Sequence, residues 1–127
     1  MDTSTGPTVP RHPQMSVFRP QDAALHPVDG DTYSSASEVW TSPDGSKKVG
    51  SYRIRQGGGV FDFHQRFHET TYILSGHMIV TLEDGTRFDL RAGDLAQLVP
   101  GTKCKIEIAQ TVHDFFVLTS TDGPVEV

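Results

Sequence analysis

A chain of 127 residues has the length of a single domain, and its 11 Lys plus Arg against 16 Asp plus Glu leave a formal charge of -5. It has no basic run to neutralise a phosphate backbone or an anionic membrane surface, and no apolar run near the ~20 residues of a spanning helix, so neither nucleic acid nor membrane is an expected partner. The polar, Pro-rich N-terminus does not read as a secretory signal, and Cys104 is the only cysteine, so no intrachain disulfide can form and a cytoplasmic location is the expectation.

In chain order, Pro7, Pro10 and Pro13 stand among Thr, Ser and Gly with almost nothing apolar to bury, which predicts a disordered tail over residues 1–14. Residues 15–48 form an N-terminal extension in which Pro20 and Pro27 oppose long regular structure; it is expected to pack against the remainder or against a second subunit. From there, short runs alternate with turn chemistry at residues 42–45, 56–59, 83–85, 92–94 and 100–101. The predicted strands are Val49 to Arg55, Val60 to Arg66, Thr70 to Leu74, His77 to Leu82, Thr86 to Leu90, Leu95 to Val99, Lys103 to Ile108 and His113 to Thr119, followed by a tail over 120–127. Cys104, Ile106 and Ile108 fall on one face while Lys103, Lys105 and Glu107 fall on the other, the period of a half-buried antiparallel strand. Short strands at this spacing, with no helical periodicity, predict one all-β domain, a sandwich or barrel over residues 49–119.

Within Phe61 to Gly76, His64 and Glu69 are the residue types that bind metals or move protons, placed where a small barrel opens its mouth. A carboxylate in an apolar mouth has a raised pKa and an imidazole titrates near neutrality, so the two form a candidate acid/base pair. In the plainer reading Glu69 only bonds backbone amides or an arginine such as Arg53 or Arg66. Gln97 interrupts the apolar run Leu95 to Val99 and would orient a ligand if it points inward; outward, it is a surface residue. The Tyr52 phenol could donate to a substrate oxygen, although strand tyrosines mostly pack. Phe61, Phe63 and Phe67 lie on one side of their segment, as core or as contact with a second copy, and the homodimer is the expected assembly. His12, His26, His68, His77 and His113 read as surface histidines, and Gly57 to Gly59 as a hairpin connection and not a phosphate loop.

Phe61, Phe63 and Phe67, then Glu69-Thr70-Thr71-Tyr72-Ile73-Leu74-Ser75-Gly76, then Glu83-Asp84-Gly85, then Gly93-Asp94 leading to Gly101, resemble a small single-domain cupin of the RmlC-like kind. The nearest branch is that of the ethanolamine-utilisation and ureidoglycolate-type small cupins. This resemblance implies a double-stranded β-helix, or jelly-roll barrel, with an open mouth. The cupin pattern pairs two histidines with a glutamate and a glycine, and adds a third histidine in a second motif. Glu69 and Gly76 match it; one spacing puts Asp62 and His64 at the histidine positions, a shorter one Phe63 and Gln65, and Cys104 stands where the third histidine is usual.

Three functions follow as expectations. The leading one is a cupin that binds a small polar molecule and acts on it by proton transfer, in isomerase, lyase, hydrolase or cyclase chemistry, with Glu69 and His64 catalytic and Tyr52, Gln97 and Cys104 touching the ligand. The second is a metal-dependent enzyme in which His64, Glu69 and Cys104 hold Zn or Fe, since imidazole, carboxylate and thiolate suit both. The third is a non-catalytic ligand-binding or accessory protein.

Overall fold

The computed structural model describes residues 12, 14–20 and 24–125, so the tail expected over residues 1–14 lies almost wholly outside the described residues. Eight antiparallel strands make one curled sheet: β1 (His26–Val28), β2 (Asp31–Thr41), β3 (Lys47–Ile54), β4 (Val60–His64), β5 (His68–Leu82), β6 (Arg87–Arg91), β7 (Leu95–Leu98) and β8 (Lys103–Thr119). Their order is β1-β2-β3-β8-β5-β6, with β4 also on β8 and β7 also on β5. No described residue is α-helical, in keeping with the absence of 3.6-residue periodicity.

Three differences from the sequence reading matter. The sheet begins well before residue 49, because the segment expected to be an extension contributes β1 and β2, and β2 pairs with β3 from Ser34↔Ile54 to Thr41↔Lys48. The expected tail after residue 119 is tied down as well: Val125 is buried, and its N–H donates to Gly45 O at 2.7 Å. In addition, each of two expected strand pairs is one long strand, β5 and β8, of 15 and 17 residues.

β5 and β8 pair from His68↔Thr119 to Leu82↔Cys104, and the register shifts three times between Ile73 and Met78. Such irregularities bend a strand and increase its twist. A bend is obligatory here. His64 opposes Lys103 and His68 opposes Thr119, so the two ends of β8 are bridged by the short link from β4 to β5. Four chain steps reach about 14 Å and each strand spacing adds about 5 Å, whereas a straight 17-residue strand would run about 55 Å. β8 therefore curls back on itself, and the sheet wraps around its own interior.

The bend is built on Gly76, whose φ of +95° favours glycine. A Cβ there would lie 2.1 Å from Thr111 O and 2.8 Å from the Val112 Cα, so there is no room for one. Inside the curl, Ile73, Met78, Val80, Cys104, Ile106, Ile108 and Val112 form one buried cluster; Phe116, Leu118 and Val125 form a second, with Tyr52 and Phe67 packed against it.

Gly76→Ala is expected to cost about 3 kcal/mol or more, from both the left-handed backbone and the backbone clash, read as a fall in the denaturant midpoint. Gly85→Ala has a similar φ of +89° but open space around it, so it should cost only about 1–2 kcal/mol. Equal costs at the two positions would show that the bend does not depend on close approach at Gly76.

Candidate functional site

Residues directly opposed in an antiparallel ladder put their side chains on the same face. Tyr52 opposes Asp114 across β3 and β8, while Glu69, Thr71 and Ile73 on β5 oppose Leu118, Phe116 and Asp114. These side chains therefore share the inner face. Arg53 opposes His113, and Thr70 opposes both Val117 and Gln97, so that set shares the outer face.

Asp114 is only 4% exposed, and its Oδ1 accepts from the Tyr52 backbone N–H at 3.2 Å. The Tyr52 ring stacks on Phe116 with centroids 4.9 Å apart. Thr71, itself buried, donates its hydroxyl to the Glu69 carboxylate, and Glu69 and Tyr52 remain partly open to solvent. Burial first, and the neighbouring Glu69 charge second, push Asp114 up to about 7, against a smaller opposing effect of the Tyr52 N–H. Burial, Glu69 and Asp114 in turn push the Tyr52 phenol above its ordinary value. The result is an acid that holds its proton near neutrality, set close to a second carboxyl and a phenol, which is the composition a proton donor and acceptor require.

Gln65 is bonded to Phe67, which packs with Tyr52 on the cluster of Phe116, Leu118 and Val125. It is 2% exposed, its backbone is bonded to Thr102 O and to Gly101 N–H, and its Nε2 donates to Phe67 O at 2.6 Å. Its Oε1 is buried with no hydrogen-bond partner among the described residues. Phe63, two residues earlier, opposes the buried Cys104 across β4 and β8. The inner positions of this segment are thus Phe63 and Gln65, as the shorter of the two motif spacings has it.

This register moves His64. It is exposed and opposes Lys103 on the outer face, and so does not pair with Glu69 as expected. Asp62, likewise outward, forms an ion pair with Lys105 at 2.8 Å. An open cleft of about 580 Å³ beside them is lined by His64, Lys103, Phe63, Leu82 and Cys104 among others, and does not reach Glu69, Tyr52 or Asp114. Cys104 faces inward as its parity predicted, and burial pushes its thiol up. With His64 on one face of the sheet and Cys104 on the other, the expected metal set of His64, Glu69 and Cys104 is not assembled. No group of three or more His, Cys, Asp or Glu among the described residues is placed to hold a metal ion.

Gln97 also points outward, where its Oε1 meets His68 Nε2 at 2.8 Å, so it does not line the interior as expected. His113 bonds the buried Ser51 hydroxyl at 3.0 Å, and that hydroxyl donates to Asp114 O at 2.7 Å. Of the expected site residues, Glu69 and Tyr52 come together; Asp114, Thr71 and Gln65 complete the set. Asp114 was hidden because Phe115 and Val117 are apolar like Phe116 and Leu118, which erases the alternation that would have assigned it a face.

A sequence profile described as EutQ-like cupin domain matches residues 41–114. Comparison with curated proteins finds none that matches. Among solved structures, the chain is similar to a Salmonella typhimurium protein described as ethanolamine utilization protein Q, with a TM-score of 0.59 and 21% identity over 68% of each chain. It is also similar to the Clostridium difficile EutQ protein, with a TM-score of 0.59 and 17% identity over 70% of this chain and 64% of that one, so it spans less than two thirds of that protein. A third similar structure is the polyketide cyclase RemF from Streptomyces resistomycificus, with a TM-score of 0.67 and 17% identity over 87% of this chain and 82% of that one. At these identities the likeness carries the fold.

A carboxyl raised from 3.8 to about 7 binds its proton more tightly in the folded than in the unfolded chain. Its contribution to stability is therefore fully present below about pH 4 and is lost as pH rises to about 7, a loss of about 4 kcal/mol at about 1.4 kcal/mol per decade. Asp114→Asn should remove this dependence: urea melts across the range should show the variant gaining on the parent as pH rises and levelling off above pH 7. A difference between the two that does not change with pH would show that Asp114 has no raised pKa.

Proposed function

The chain belongs to the EutQ-like cupin family, and on that premise we propose that it binds a small polar molecule inside the barrel and moves protons on it through Glu69 and Asp114. The observation that carries the reading is the neutral-leaning, buried Asp114 within the field of a partly exposed Glu69. Glu69 takes a proton from the ligand while Asp114 gives one to a ligand oxygen or nitrogen, so the pair exchanges charge and a return transfer resets it. Reactions that need one acid and one base, such as isomerisation, elimination or cyclisation, fit this exchange, and such a pair contributes about 10²–10⁴-fold in rate. Tyr52, held by its stack on Phe116, lends a hydroxyl to orient the ligand. One similar barrel belongs to a protein described as a polyketide cyclase, so chemistry of this class has a precedent in the architecture.

The same reading takes the protein as cytoplasmic and as a homodimer. β4 pairs with β8 alone among the described strands, and Val60, opposite Glu107 on the outer face, is 60% exposed, an edge and an apolar side chain that a second copy would cover. Sedimentation at micromolar concentration should give a dimer, and Val60→Lys should shift it toward monomer; a parent protein that sediments as a monomer contradicts the dimer.

A library of small polar compounds, screened by NMR shift mapping and by product detection, tests the central reading. Ligands should perturb Tyr52, Glu69 and Asp114. Glu69→Gln and Asp114→Asn should each lower turnover by about 10²-fold or more while the fold is kept, and His64→Ala should change it little. Ligands that perturb only the cleft beside His64, or turnover that survives both carboxyl variants, would contradict the proposal.

A further inference from the structure

We propose that the ligand of the barrel interior is a small organic cation, an amine or ammonium compound, and that Gln65 and Glu69 are its hydrogen-bond acceptors. This rests on the reading of the interior as the site and adds the chemical class of what it holds.

One acceptor among these polar side chains is left unmet. Thr71 has its hydroxyl proton committed to Glu69, and Gln65 has committed one amide proton to Phe67 O. Beside the Tyr52 hydroxyl, the Asp114 proton and the second Gln65 amide proton, what remains is acceptor: the carboxylate oxygens of Glu69, and the Oε1 of Gln65, a carbonyl buried without a partner among the described residues. Leaving such an acceptor dry and unmet costs about as much as a hydrogen bond contributes, so a bound N–H group is the natural complement. An anion brings no donor to it. A substituted ammonium brings one to three.

Charge points the same way. Arg53 and His113 oppose one another on the outer face, Lys103 faces outward opposite His64, and Lys105 is bound to Asp62. His68 is engaged by Gln97 outside the barrel. Arg66, near the mouth, is exposed and lies over the Phe67 ring at 5.3 Å, so an anion that it attracted would sit at the rim. Lys48, which opposes Leu118 and so shares the inner face, is bound to Glu38 at 3.4 Å; the titratable groups left facing the site are Glu69, Asp114 and Tyr52, and a further negative charge among them would be repelled.

The walls also suit a cation. Tyr52 and Phe67 pack on the cluster of Phe116, Leu118 and Val125, and aromatic faces attract ammonium groups that have lost part of their water. Apolar substituents on the nitrogen would find the same rings.

Three probes of one chain length, butylammonium, butyrate and butanol, separate the alternatives. NMR shift mapping at pH 7 should show butylammonium alone perturbing Gln65, Tyr52, Glu69 and Asp114. Glu69→Gln and Gln65→Met, each checked for a parent-like melt, should weaken butylammonium binding about tenfold or more, while Arg66→Ala should leave it unchanged. Butyrate or butanol binding inside, with the same dependence on Glu69, would overturn the cation and leave the interior site standing. Perturbations confined to the outer face would overturn both, and no interior response to butylammonium at any concentration the fold tolerates would overturn the cation.

Discussion

The pairing of β5 with β8, and the bend both strands must make, is the constraint on which the rest of the molecule depends. The two strands are hydrogen-bonded from His68↔Thr119 to Leu82↔Cys104, and every other strand except β1 and β2 attaches directly to one of them. Because β4 and β5 are joined by so few residues, the ends of β8 cannot move apart, and the ladder curls where its register shifts opposite Gly76. Curling turns one face of a sheet into an interior. The alternate residues of β5 and β8, with Tyr52 from β3, then converge on a small volume from which most water is excluded.

That exclusion gives the inner polar groups their character. A carboxyl that lost its water as an anion would carry a large desolvation cost, so Asp114 keeps its proton to a much higher pH than a free aspartate. Glu69 adds to the effect through its charge and remains reachable from solvent. Proximity of two carboxyls in unequal surroundings separates their roles without a third residue. The apolar packing that makes the fold is thus also the source of the acid. In the proposed reading stability and function are in tension at Asp114, since the fold would be better served by an apolar or amide side chain at neutral pH.

Strand-rich character, the all-β class and the barrel were legible because turn residues punctuate the chain and Cys104, Ile106 and Ile108 alternate cleanly with charged residues. β2 was not, since Asp31 to Thr41 is mostly small and polar. Its place in the sheet is fixed by its neighbour, where Gly50 lets β2 approach so closely that a Cβ would meet Ser37 O at 2.4 Å and Phe116 at 2.7 Å. The candidate site was half legible. Glu69 and Tyr52 have the right chemistry and sit in recognisable strands. His64 was favoured over Gln65 on residue type, but one position along an extended chain reverses the face, and the pairing of Phe63 with Cys104 decides it. In the second half of β8 the outer face is also covered, with Phe115 against Tyr72 at 5.4 Å, so apolar residues occupy both faces and conceal Asp114.

The most direct test of this account is a carbon-13 NMR titration of the Asp114 side-chain carboxyl in the full-length protein. The account predicts a midpoint of about 7, and a fall toward the ordinary aspartate value when Glu69 is replaced by Gln. A midpoint near 3.8 in the parent protein would mean that Asp114 is solvated and charged like any surface aspartate, and the interior would then have no acid to give.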